Sequence, residues 1–404
     1  MKSIREIFRI GYGPSSSHTM GPRKAAELFL NAYPSAARYE AHLYGSLSAT
    51  GKGHLTDAAI IDVIPSVEII WHDEFLPYHP NGMRFCAWDA KGELDAEWTV
   101  YSVGGGALEE DSDGIRLLGD KANGDKAEDI YPLKRLSDIK EYCDKMGWDY
   151  WEYVEHYEGK EIWDYLREVW QVMREAVERG LDHEGVLPGP LHLRRKAASY
   201  YIKVAAYKDN LRTRGLVFSY ALAVSEENAS GGKIVTAPTC GSCGVLPAVL
   251  YHTWRSRDFS ETRILHALAT AGLIGNVVKE NASISGAEVG CQGEVGVACA
   301  MASGAVNQLF GGTLAQIEYA AEMGLEHHLG MTCDPVCGLV QIPCIERNAF
   351  AAARALDSNM YAAFSDGTHN VTFDRVVEVM KQTGHDLPSL YKETSQGGLA
   401  ATHE

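Results

Sequence analysis

Cys291, Cys333 and Cys344 are the residues of this chain whose type and setting are best suited to chemistry. They stand in Gly290-Cys291-Gln292-Gly293-Glu294, Thr332-Cys333-Asp334-Pro335 and Pro343-Cys344-Ile345-Glu346-Arg347-Asn348, turn-like segments with Gly or Pro beside ionisable groups. Three thiolates can hold a cubane iron–sulfur cluster and leave one iron without a protein ligand. An open position is what distinguishes a catalytic metal site from a structural one. Cys291 and Cys333 are 42 residues apart and Cys344 follows 11 residues later, so this is no compact ferredoxin run. Thiolates suit iron–sulfur clusters and zinc alike, and the spacing does not choose between them. The ordinary case is a buried free cysteine acting as a small hydrophobe. Proline and polar neighbours at Cys333 and Cys344 argue against it.

A second constellation is Gly13-Pro14-Ser15-Ser16-Ser17-His18-Thr19-Met20-Gly21-Pro22, just ahead of a helical stretch. Hydroxyls, backbone N–H groups and an imidazole before a helix N-terminus can receive a carboxylate. An N-cap needs only one hydroxyl; three consecutive serines exceed that need and point to an anion site. A third run, Tyr44-Gly45-Ser46-Leu47-Ser48-Ala49-Thr50-Gly51-Lys52-Gly53-His54-Leu55-Thr56-Asp57, follows a strand and could bring Lys52, His54 and Asp57 onto one ligand. It lacks the full dinucleotide or P-loop pattern, and the plain reading of His54 is an exposed loop histidine. His79-Pro80-Asn81-Gly82-Met83 reads equally well as a turn. Thr239-Cys240-Gly241-Ser242-Cys243 has CxxC spacing outside any thioredoxin-like context and reads as a close-packed turn. Cys337 reads as packing, and Cys86, Cys143 and Cys299 as structural.

The elements that must position these residues fall into two kinds. Residues 1–135 read as mixed α/β, with a short helix over Arg23–Asn31 and strands over Tyr39–Tyr44 and Val67–Trp71. Met83–Trp88 and Trp98–Val103 flank Asp89-Ala90-Lys91-Gly92 as a hairpin. Glu109–Asp129 is acidic and reads as a surface loop. After a linker over 136–160, residues 161–404 read as all-helical. Leu166, Val169, Trp170, Met173 and Val177 keep a helical rhythm that Gly180 is expected to cap. Tyr200–Glu226 and Ile264–Lys279 are apolar on most faces and predict helices inside a bundle. The fold class expected is therefore α+β and multidomain.

With 404 residues the chain is long enough for two domains with sizeable cores. Acids outnumber bases 54 to 37, for a net charge of −17, which argues against nucleic acid or an anionic membrane as partner. Met1–Arg9 alternates charged and apolar residues, unlike a secretory segment. The longest apolar tract, Val295–Val306, is too short to span a bilayer and predicts a buried helix. Nine cysteines, an odd number, suggest reduced thiols in the cytoplasm.

The runs SSSHTMGP, GSLSATGKGHLTD, HPNGM, SVGGG, APTCGSCGVLPAVL, KENASISGAEVGCQGEVG and MTCDPVCGLVQIPCIERNA resemble those of the iron–sulfur L-serine dehydratases (L-serine ammonia-lyases), in family order over residues 15–349. The resemblance is to the single-chain form, with the domain called β before the domain called α. It implies that Cys291, Cys333 and Cys344 ligate a [4Fe–4S] cluster, that no pyridoxal phosphate is used, and that His54 is the proton-abstracting base. It places His18 with Ser15, Ser16, Ser17 and Thr19 in catalysis and substrate handling, and His79 and Asn81 in the same pocket, where Lys52 of the His54 run is also expected to bind substrate. It also likens the N-terminal domain to an allosteric substrate-binding module. The partners expected are L-serine and a second copy of the chain in a homodimer, in a cytoplasmic enzyme of serine degradation that yields pyruvate for gluconeogenesis. Some relatives carry a C-terminal cysteine on the open iron, whereas this sequence ends Thr402-His403-Glu404. Two rival readings remain. A pyridoxal-phosphate dehydratase would need a Schiff-base lysine, for which Lys233 after Ser230-Gly231-Gly232 is the faint candidate. An amino-acid sensor would instead hold structural zinc on its thiols.

Overall fold

The computed structural model describes residues 1–110, 115–118 and 129–402. Most of the expected acidic loop, together with His403 and Glu404, lies outside the described residues. The strands are β1 (Ile10–Tyr12), β2 (Arg38–Tyr44), β3 (Val67–His72), β4 (Gly82–Trp88), β5 (Leu94–Ser102), β6 (Leu108–Glu110) and β7 (Lys233–Val235). Five of them form a mixed sheet in the order β3-β2-β4-β5-β6, with β2 and β3 parallel and the other neighbours antiparallel. The period-two pattern decides which face is buried. Tyr39, Ala41 and Leu43 of β2 point inward with Phe85 and Ala87 of β4 and Trp98 and Val100 of β5. Helix α1 (Gly21–Ala32) lays Ala25, Ala26 and Phe29 on that face, and Phe29 stacks on Trp98 with ring centroids 6.3 Å apart. The expected hairpin is present: Asp89 Oδ1 accepts from the N–H groups of Lys91 and Glu93, and Gly92 takes a φ of 80°.

Parallel β2 and β3 cannot be joined by a tight turn. Their crossover contains α2 (Ser46–Thr50) and α3 (Thr56–Val63), and the His54 run lies between these two helices. This connection fixes where the imidazole can reach.

The remainder is helical: α4 (Leu136–Met146), α5 (Tyr150–Glu158), α6 (Ile162–Asp182), α7 (Ala197–Val204), α8 (Asp209–Ala229), α9 (Val245–Arg257), α10 (Glu261–Asn281), α11 (Gly286–Val289), α12 (Val297–Leu309), α13 (Leu314–Glu326), α14 (Cys344–Ala363) and α15 (Phe373–Asp386). The expected buried helix is α12, whose small residues let its neighbours come close. A Cβ on Gly304 would meet Ile274 of α10 at 2.3 Å. Among the described residues no helix is long and apolar enough to cross a membrane.

The structure redraws two expectations. The stretch 136–160, expected as a linker, carries α4 and α5. Leu136, Ile139 and Cys143 lie along one face of α4 and enter the large helical core, as do Tyr150, Tyr153 and Val154 of α5. Met1, Ile4, Ile7 and Phe8 join the same core, and β1 pairs with β7 (Ile10 opposite Val235), so the first residues of the chain pack with the helical part.

Gly180 does not cap α6, which continues to Asp182. Its role is close approach instead: a Cβ there would lie 2.3 Å from the Ala223 carbonyl oxygen of α8. Gly180→Ala should therefore lower stability by about 1–3 kcal/mol through overpacking, although alanine is favoured over glycine by roughly 1 kcal/mol in an open helix. Denaturant unfolding reads the sign, and a stabilised variant would refute the close approach.

Candidate active site

Ser16–Met20 is a π-helical turn, capped by Ser15, that leads straight into α1. Ser15 Oγ accepts from the His18 N–H at 3.1 Å, as an N-cap does. Both His18 ring nitrogens are engaged, Nδ1 with Ser17 Oγ at 2.9 Å and Nε2 with Ser46 Oγ at 3.0 Å. Thr19 Oγ1 donates to the His54 carbonyl at 2.6 Å and Thr56 Oγ1 donates to that of His18, which ties the two imidazole segments together. The rings lie 4.5 Å apart. His54 is fully buried rather than an exposed loop residue. Its Nδ1 sits 3.2 Å from Thr50 Oγ1, while Nε2 has no hydrogen-bond partner among the described residues. Gly53, just before it, lacks room for a Cβ, which would meet the Gly338 carbonyl oxygen at 2.8 Å. That contact seats the His54 turn against the cysteine-bearing part of the chain.

Cys291 immediately precedes a π-helical turn (Gln292–Gly296) that opens α12, and Cys344 is the first residue of the twenty-residue α14. Amide dipoles at a helix start favour a thiolate. Cys333 is extended, its N–H donating to the Tyr391 carbonyl and its carbonyl accepting from the Glu393 N–H, each at 2.8 Å. Arg347 braces that segment by donating to the Thr332 carbonyl at 2.6 Å and to Asp334 Oδ1 at 3.2 Å. Glu294 Oε2 is 3.8 Å from Cys291 Sγ and 3.9 Å from Cys333 Sγ, and its other oxygen accepts from Thr239 Oγ1 at 2.7 Å. Gly286 makes space beside this group, since a Cβ there would lie 2.6 Å from Glu294 and 3.1 Å from Cys333 Sγ.

The two halves meet at one cavity lined by Ser15–Ser17, His54, Cys333, Cys344, Glu294 and Glu393. Cys291 stands behind it, against Cys333 and Glu294. Burial, and then the neighbouring His18 ring, hold His54 well below 6.5, and burial pulls His18 down to about 4. Both rings are therefore neutral at pH 7. Hydrogen bonding to Cys291, then burial, pushes the Cys333 thiol up, and burial does the same for Cys344. Burial, then Glu294, lifts the Glu393 carboxyl to about 8. Cys291 and Cys333 beside Glu294, with Cys344 lining the same cavity as Cys333, are a donor set for a thiophilic metal or cluster. Among the described residues no cysteine besides Cys333 and Cys344 lines the cavity. Cys337 is exposed, at a φ of 55°, and faces a separate cleft beside Leu339. It is not the packing residue expected.

Other expected site residues lie outside the cavity. Lys52 turns to the Cys337 cleft, with Nζ 5.7 Å from the Trp71 ring centroid; the His54 N–H donates to the Thr50 carbonyl at 3.1 Å, and in such a helical turn residues two apart do not share a face. His79 faces a neighbouring cleft with Lys279 and Glu288. Asn81 is buried beside it and donates to the Ser102 carbonyl at 3.1 Å, a turn-supporting contact. Thr19 serves as a strut between the two histidine segments. Cys240 and Cys243 form a buried turn as expected. Glu294 was visible in the Cys291 motif only as an ionisable neighbour, and Glu393 carried no motif at all.

Comparison with known proteins supplies independent findings. The family model described as serine dehydratase alpha chain matches residues 91–400, and that described as serine dehydratase beta chain matches 3–64 and 61–113. The chain is 42% identical to the L-serine dehydratase TdcG of Escherichia coli, with 99% of each chain covered. It is 41% identical to the L-serine dehydratase of Streptomyces coelicolor with 98% of each covered, and 40% identical to that of Haemophilus influenzae with 99% of each covered.

Proposed function

The chain belongs to the serine dehydratase family, its beta-type region preceding its alpha-type region, and on that premise we propose that it is an L-serine ammonia-lyase. It removes water from L-serine, and the aminoacrylate formed tautomerises and hydrolyses to pyruvate and ammonia. The observation that carries this reading is that Cys333 and Cys344 line one cavity with His54, whose Nε2 is unpartnered among the described residues, while Cys291 abuts Cys333 behind it. Cys291, Cys333 and Cys344 would hold a [4Fe–4S] cluster. Such a cluster supplies, when bound, an iron free of protein thiolate that acts as Lewis acid on the substrate hydroxyl.

The chain's own groups supply the rest. The serine hydroxyls and amides of Ser15–Ser17, ahead of α1, receive the substrate carboxylate and fix its orientation. His54 Nε2 takes the Cα proton. Its neutrality at pH 7 makes it a competent acceptor, and Thr50 Oγ1 holds the ring by Nδ1. Cα loses a proton and Cβ loses hydroxide, so one water leaves per turnover. His18, with both nitrogens engaged, keeps the His54 ring in place.

Among the described residues no lysine lines the cavity, and Lys233 sits in β7 opposite Tyr12, which leaves the Schiff-base reading without its residue. Oxygen-free purification, iron and sulfide determination and a pyruvate assay on L-serine test the proposal. Activity lost in air should return with ferrous iron and thiol. Activity restored by pyridoxal phosphate, or zinc in place of iron and sulfide, would overturn it.

A further inference from the structure

Glu393 is the least explained group in the cavity wall. Its backbone takes a φ of 57°, a left-handed conformation that a glutamate rarely adopts, while its N–H is held by the Cys333 carbonyl at 2.8 Å. A non-glycine residue kept in that region is over-determined by its surroundings. The side chain is only 12% exposed, and Oε1 lies 4.0 Å from His18 Nδ1. Among the described residues no lysine or arginine pairs with it. His18 is neutral and its ring nitrogens are engaged by Ser17 and Ser46, so it offers no counter-charge. Of the other groups lining the cavity, Glu294, Cys333 and Cys344 are acidic and His54 is neutral, so none offers a positive charge. A buried carboxylate is costly unless it is paired with a cation. Among the described residues no side chain offers that cation, and a cationic group of a ligand seated at Oε1 would supply it.

We propose that Glu393 is the counter-charge for the α-ammonium group of the substrate, an inference that rests on the L-serine reading above. The spacing fits an amino acid. One ligand atom each from Glu393, His54 and His18 lies within 4.8 Å of the others. The ammonium nitrogen and the abstracted proton of L-serine share one carbon, so the groups that touch them must stand about this close. The β-hydroxyl then extends toward Cys333 and Cys344. A metal ion on the same three residues is disfavoured, because His18 would have to give up a hydrogen bond to ligate it. Glu393 thus makes the cavity selective for amino acids over hydroxy acids of the same length.

The test compares two ligands on anaerobic holoenzyme, wild type and Glu393→Gln. L-serine carries the ammonium group, whereas 3-hydroxypropionate keeps the carboxylate and hydroxyl without it. Loss of a charged hydrogen bond should raise KM for L-serine by roughly 10–100-fold. Kd for 3-hydroxypropionate, read by titration calorimetry, should change by less than about threefold, because that ligand has no ammonium to lose its partner. If Glu393→Gln is inactive, L-serine is titrated directly with the same expectation. An unchanged KM, a parallel loss for both ligands, or loss of iron in Glu393→Gln would overturn the assignment. Pyruvate formation by the wild-type chain separately tests the reading on which it rests.

Discussion

Cys333→Ser should lose iron and turnover together. Serine keeps the size of the side chain, but its hydroxyl stays protonated near neutrality and is a poor ligand for a soft metal. If Cys333 is one of only three protein ligands, the site cannot retain its cluster without it, and substrate activation goes too. The expected fall in pyruvate formation is about 10²–10⁴-fold, the several kcal/mol that a Lewis acid contributes. The informative control is Cys337→Ser, four positions along the same segment. Cys337 is exposed and faces another cleft, so its replacement should leave iron, sulfide and rate unchanged. The pair separates ligation from general damage to the Thr332–Gly338 segment. Full iron content in Cys333→Ser, or its loss in Cys337→Ser, would contradict the ligand set.

The contrast between neighbouring cysteines also shows what could be read from the sequence. Cys333 and Cys344 stood out because proline and charged residues surround them, and the fold buries both at one cavity. The β4–β5 hairpin and α12 were legible because turn chemistry and unbroken apolar runs act locally. Gly180 misled because a glycine that ends a helix and one that admits a neighbouring backbone look alike in one dimension. Only the crossing with Ala223 distinguishes them. The stretch 136–160 looked like a connection, yet its apolar residues recur on one face and dock into the helical core. Lys52 and His54 are two residues apart but face different clefts, because the backbone between them makes a helical turn, with the His54 N–H donating to the Thr50 carbonyl. Glu393 was invisible, since its position depends on a tail segment pairing with Cys333 sixty residues earlier.

His54→Ala tests the other half of the site. Its backbone carbonyl still accepts from Thr19 Oγ1, so the turn between α2 and α3 keeps its anchor when the ring is removed. Iron and sulfide should therefore be retained while kcat falls by about 10²–10⁴-fold, the usual contribution of a positioned base. Added imidazole can enter the space left by the ring and should restore part of the rate. His18→Gln provides the contrast. His18 has no free nitrogen to take a proton, so imidazole should not rescue its variant, whose defect lies in the alignment of His54. The protonation state gives a further check. Because burial holds His54 well below 6.5, the imidazole is neutral across the physiological range and loses basicity only at lower pH. The acid limb of kcat at saturating L-serine should then lie well below pH 6.5 in the wild type and vanish in His54→Ala. Near-normal kcat in His54→Ala with its cluster intact would move the base to another residue, and a rescue of His18→Gln alone would exchange the two roles.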